Sequence, residues 1–160
     1  MGRMGLLSPQ DQDHLRRDFG TMARRVHLVF FTQTIGCETC LEARQILDEL
    51  PALSDKIVVD EVNLVLDGER ARSFGIDRAP AIAVVYEGER SAEPGDSEGP
   101  PPLVDTRIRF LGRPAGYEFV SLVQAVALAG GRELSLSEAS RRRLAAIDKP
   151  VTMHVFTTPT

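Results

Sequence analysis

The chain has 160 residues, 42% of them hydrophobic, and a formal net charge of −4 at pH 7. That is enough chain to bury one core with some left over. The mild acidity argues against nucleic acid or an anionic membrane as a partner held by bulk charge. No apolar run approaches the roughly 18 residues of a membrane span, and Met1 to Leu7 lacks the apolar stretch of a secretory signal. A cytoplasmic location is the expectation. The two cysteines are only three positions apart, so they cannot staple distant segments, and a reducing compartment would not preserve a purely structural bridge.

In chain order, Ser8-Pro9 with Asp11 reads as a helix start, and Leu15, Phe19, Met22 and Val26 recur at helical spacing. This predicts a helix over about 9 to 23. Val26 to Thr32 is an apolar run of strand length that ends just before the cysteines. Ala43, Ile46, Leu47 and Leu50 then share one helical face, with Pro51 beyond the end. That places Cys37 at a helix N-terminus and Cys40 one turn inside.

Ile57 to Leu64 reads as a second strand, Asp67 as the cap of a short helix carrying Ala71 and Phe74, and Ala81 to Tyr86 as a third strand. Strands alternating with helices predict parallel pairing through crossovers. Residues 87 to 106 hold five acids by position 98 and three consecutive prolines, and read as a flexible insertion in a β-hairpin. Thr106 to Leu111 resumes as a strand, followed by a helix from about Tyr117 to Leu128, closed by Gly130-Gly131. Ser135 to Glu138 fits a capping box opening a helix to about Ile147, and Val151 to Thr157 reads as one more strand.

A lone C-x-x-C can be half of a zinc site, two incidental cysteines or a redox pair. Zinc takes four ligands, and His14, His27 and His154 stand at no short ligand spacing from one another, so no metal is expected. The position between a strand and a helix of a βαβ unit favours a redox motif of the thioredoxin kind. The reacting species is a thiolate, which the unpaired N–H groups of a helix's first turn stabilise. Cys37 is then the nucleophile, and Cys40 resolves the mixed disulfide. Glu38 sets a second negative charge beside that thiolate. If well solvated it opposes by about 1 kcal/mol, similar to the helix-terminus contribution. The couple is then expected nearer about −270 mV than the strongly oxidising end near about −120 mV. The alternative is a Glu38 that points into solvent without effect. Ala79-Pro80 precedes the third strand, where proline is tolerated without special meaning.

With strand, C-x-x-C helix and pre-strand proline in place, the chain resembles the glutaredoxin-like protein disulfide oxidoreductases of archaea and bacteria, which carry two thioredoxin-fold units in tandem. The likeness runs through Met4-Gly5-Leu6-Leu7-Ser8, the segment Gly75 to Ala81, the segment Gly112 to Phe119, and Val155 to Thr160. It implies an α/β thioredoxin fold: a central four-stranded mixed sheet flanked by helices over residues 1–131, followed by a linker helix and the first strand of an absent second unit over 132–160. It also implies that Pro80 is a cis-proline facing the cysteines and that the backbone of Ala79 pairs with a bound substrate strand. The residues between the cysteines lack the aromatic that family members often carry, and the insertion exceeds the family's usual turn.

In such tandem proteins the C-terminal site is generally the more reactive, so the resemblance makes this unit the weaker partner. The activity implied is exchange with protein or small-molecule disulfides and dithiols, with no cofactor beyond the Cys37/Cys40 pair. The second reading is a non-catalytic docking or electron-relay module, similar to the N-terminal domain of the alkyl hydroperoxide reductase flavoprotein, serving a partner domain or a thioredoxin-reductase-like flavoprotein. The apolar terminal strand is expected either to pack on the domain's own sheet or to pair two copies as a homodimer.

Overall fold

The structure, a computed structural model, describes residues 7–90 and 99–158. Residues 91–98 of the insertion, where flexibility is expected, lie outside them. The elements are α1 (Pro9–Gly20), β1 (Val26–Thr32), α2 (Cys40–Asp48), β2 (Ile57–Asn63), α3 (Gly68–Ser73), β3 (Ala81–Glu87), β4 (Leu103–Leu111), α4 (Tyr117–Ala129) and α5 (Glu138–Ala145).

The strands form one sheet in the order β2-β1-β3-β4. β1 pairs parallel with β2, while β3 runs antiparallel to β1 and β4 antiparallel to β3. The mixed four-stranded sheet is therefore present, but the parallel pairing predicted for the first three strands holds only for the first two. The cause is the brevity of α3. Its six residues rise about 9 Å, far short of the roughly 23 Å of a seven-residue strand. The chain therefore re-enters the sheet from the end it left.

The central strands β1 and β3 are buried almost throughout, and their side chains alternate between two cores. Leu28, Phe30, Ile82 and Val84 face α1, α2 and α4, whose Phe19, Leu47 and Val126 complete the larger core. Val29, Phe31, Ala83 and Val85 face the other way, onto Ala71 and Ile76 beside α3. At the sheet end remote from the cysteines, His27 ties three strands together. Its Nδ1 lies 2.9 Å from Asp60 of β2 and its Nε2 3.0 Å from Glu87 of β3.

Helix starts follow the expected chemistry where the side chain reaches. Ser8 caps α1 by accepting from the Asp11 N–H, whereas Asp67 sits at the start of α3 without making a capping bond. α5 opens on Ser137, which accepts from the Ser140 N–H, so the predicted cap at Ser135 is displaced by two residues. β4 starts at Leu103, three residues earlier than the sequence suggests. A bulge follows, where Arg107 adopts a left-handed φ of 63° opposite Val84. Asp105 accepts the Arg107 N–H, and the Thr106 hydroxyl donates to the Val84 carbonyl and accepts the Ile108 N–H.

The predicted strand at Val151 to Thr157 does not form: residues 150–158 carry no regular structure and are exposed. Among the described residues, this segment finds no strand edge to pair with. Neither β2 nor β4, the sheet's outer strands, takes it up, so packing onto the domain's own sheet is excluded in this structure.

The Asp105–Arg109 pair fastens β4 to the end of α3. Arg109 binds both oxygens of Asp105 at 2.8 and 2.6 Å, donates to the Phe74 carbonyl, and lies over the Phe74 ring. The hydrogen bonds from Arg109 hold the Asp105 carboxyl below its usual range. A depressed carboxyl stabilises the fold above its unfolded value, and that contribution disappears as pH falls through the folded one. Asp105→Asn is therefore expected to lower stability at pH 7 by less than about 1 kcal/mol, given its exposure. The gap to the parent should narrow as pH drops from 5 towards 2.5. Urea midpoints across that range check it, and a constant gap would refute it.

Candidate functional site

β1 ends at Thr32, and the chain turns through residues 33–36 to reach Cys37. Gly36, directly before the cysteine, has φ +78°. That left-handed turn suits a residue without a Cβ. Cys37 and Cys40 form a disulfide, with Cα atoms 5.5 Å apart. Cys40 is the first residue of α2, and Cys37 precedes it by a full turn's worth of chain. The helix thus begins three residues later than a nucleophile on its first turn would require. The N-cap residue Thr39 makes no side-chain capping bond. The N–H groups of the first turn therefore have no capping acceptor and face the segment that carries Cys37.

The two cysteines differ in access. Cys40 is 6% exposed and belongs to the core, whereas Cys37 is half-buried at the rim. A sulfur at position 37 can meet a large partner, and the sulfur at position 40 meets chiefly its neighbour. Glu38 is exposed and, among the described residues, makes no hydrogen bond or ion pair.

The Ala79–Pro80 peptide is cis. Ala81 pairs with Phe31 in the antiparallel register, so Pro80 stands beside Thr32, at the sheet end from which the cysteine loop departs. Pro80 is buried and Ala79 half-buried. The Pro80 carbonyl accepts the Gly112 N–H at 2.8 Å, and the next residue, Arg113, pairs with Glu42 on the first turn of α2. The turn after β4 thereby bridges the proline and the cysteine helix, a link between residues 71 positions apart that no local pattern could announce. Just upstream, the Arg78 guanidinium hydrogen-bonds Asp77 and holds that exposed carboxyl below its ordinary range.

Among the described residues, no group of three or more His, Cys, Asp and Glu is placed to hold a metal ion, and no helix is long and apolar enough to cross a membrane. The apolar cleft between Leu7, Ile46 and Phe119 includes neither cysteine nor Pro80 in its walls.

No protein-family model matches the chain, and no curated protein matches it in sequence. Solved structures do. The NTD_N/C domain of alkylhydroperoxide reductase AhpF from Enterococcus faecalis superposes with a TM-score of 0.70 at 22% identity, over 89% of this chain and 62% of that one. A protein disulfide oxidoreductase from Aeropyrum pernix gives 0.67 at 20% identity, over 91% of this chain and 58% of that one. The chain thus spans less than two thirds of either. At such identities the likeness speaks for architecture, and with the sheet order and helix placement it establishes an α/β thioredoxin fold whose cysteine pair stands where β1 gives way to α2.

Proposed function

We propose that the chain is a thiol-disulfide oxidoreductase in which Cys37 attacks and Cys40 resolves. The observation that carries this reading is the asymmetry of the pair: a rim cysteine joined to a buried one at the start of a helix. In the reducing direction the Cys37 thiolate attacks one sulfur of a substrate disulfide and the other sulfur leaves as a thiolate. Cys40, losing its proton, then attacks the Cys37 sulfur and releases the second substrate thiolate. Two electrons pass to the substrate and the Cys37–Cys40 bond forms. Pro80 and the half-buried backbone of Ala79 lie where a substrate strand would pass, and the substrates suggested are protein disulfides. The test is catalysed reduction of insulin with dithiothreitol as electron source; no rate above background from the intact chain would defeat the reading.

Glu38 serves here as a weak restraint on oxidising power. With its carboxylate in solvent, its repulsion of a Cys37 thiolate is about the size of the attraction from the helix terminus. Glu38→Gln is therefore expected to raise the potential by about 10 to 20 mV from a parent value nearer about −270 than about −120 mV. Titration against glutathione buffers measures this. A parent value above about −180 mV would contradict the assignment.

The likeness to a domain of alkylhydroperoxide reductase favours a second reading, in which the disulfide relays electrons for a flavoprotein partner. Insulin reduction that appears only when such a reductase is supplied would favour the relay.

A further inference from the structure

We propose that Asn63, the last residue of β2, is a positioning residue for Cys37. This rests on the reading of Cys37 as the attacking thiol. Asn63 lies opposite Thr32 in the parallel register of β1 and β2, so its side chain sits at the root of the cysteine loop. Its Oδ1 accepts the N–H groups of Val65 and Leu66 at 2.9 and 3.2 Å. Its Nδ2 donates to the Thr34 hydroxyl at 3.5 Å. One amide thus holds two neighbouring loops together, helped by the Leu64 N–H donating to the Thr32 carbonyl at 2.9 Å.

The chemistry makes this tether matter most when the cysteines are reduced. In the disulfide form, residues 33–36 are fixed at one end by β1 and at the other by the sulfur–sulfur bond. Reduction removes the sulfur–sulfur link and leaves only the backbone through Glu38 and Thr39 to tie this end to α2. Among the described residues, the bond from Asn63 to Thr34 is then the hydrogen bond that joins residues 33–38 to another segment of the chain. It operates in the state in which Cys37 must be held against the uncapped first turn of α2. Loosening it lets Cys37 drift from those N–H donors and makes the thiol harder to ionise.

The test uses the full chain, reduced, with the alkylation rate of Cys37 by iodoacetamide followed against pH. A long, partly exposed bond of this kind has a modest effect, so Thr34→Val and Asn63→Ala are each expected to slow alkylation at pH 7 by about threefold. Each should move the midpoint of the profile upwards by about half a unit. The double variant should move it no further than Asn63→Ala alone. The nearby charges of Glu38 and of the Glu42–Arg113 pair are unchanged throughout. A Thr34→Val profile that superposes on the parent's would overturn the proposal, as would shifts that simply add in the double variant. Thr34 is exposed, so its replacement gives an answer even if Asn63→Ala fails to fold. Because alkylation needs no disulfide substrate, a protein inactive on insulin that still shows these shifts would defeat the oxidoreductase reading and leave the positioning role standing.

Discussion

Cys37→Ser is expected to abolish disulfide exchange, and Cys40→Ser to stop it one step later. A serine hydroxyl at position 37 is not ionised at neutral pH and is a poor nucleophile towards sulfur, so insulin reduction should fall at least about a hundredfold. Cys40→Ser leaves the first attack possible, because Cys37, at the rim, is the proposed attacking thiol. It removes the buried thiol that would displace the substrate. The variant should then accumulate as a mixed disulfide of one substrate chain per protein, visible by intact mass and released by dithiothreitol. If instead Cys37→Ser forms the stable adduct and Cys40→Ser forms none, the roles are reversed. Activity surviving Cys37→Ser would remove the proposed chemistry altogether.

What the chain's pattern made legible was the set of elements whose signals are local. Leu28–Phe31 and Ala81–Tyr86 are continuous apolar runs because both faces of those strands are covered. Ser8-Pro9 starts α1 because the hydroxyl and the missing N–H both suit a helix entrance. Strand direction was not legible, because it depends on how far α3 can carry the chain rather than on any residue in β3. Nor was the end of the chain. Val151, Met153, Val155 and Phe156 have β-forming side chains, yet a strand exists only when another strand supplies its hydrogen bonds, and here those residues stay exposed. At α5, two serines two residues apart both had cap chemistry, and the one whose hydroxyl meets an N–H at N3 took the role.

The cysteine pair could be read from spacing and neighbourhood, since a C-x-x-C between strand and helix is a local arrangement. Its surroundings could not. Asn63 meets Thr34 through the sheet register, and Arg113 meets Glu42 through the turn after β4. Asn63, Thr34 and Glu42 belong to no recognisable motif. Glu38 illustrates the reverse case, a residue conspicuous in the sequence that the structure leaves in solvent with no partner among the described residues.

The largest effect on stability is expected from the smaller core, at the end of β1 from which the cysteine loop departs. Phe31 is fully buried, two residues before the loop begins, and meets the Phe74 ring edge-on at 5.6 Å. Around it this face of the sheet is lined by small or branched side chains, among them Ala71, Ala81, Ala83 and Val62. They are too short to collapse into the space a lost ring would leave, so cavity and transfer costs should both be felt in full. Phe31→Ala is expected to cost about 3 to 5 kcal/mol, a large share of the 5 to 15 kcal/mol that holds a typical domain together. Phe31→Leu, closer in volume, should cost less than half as much. Urea unfolding of the oxidised protein gives both values. Since residue 31 also pairs with Val62 on one side and Ala81 on the other, its loss slackens the root of the cysteine loop and the strand behind Pro80 together. The alanine variant should therefore show faster amide exchange at residues 32–36, 81 and 82 than at the opposite end of β1. Exchange raised evenly along the strand would mean that Phe31 stabilises the domain as a whole without specially bracing the site.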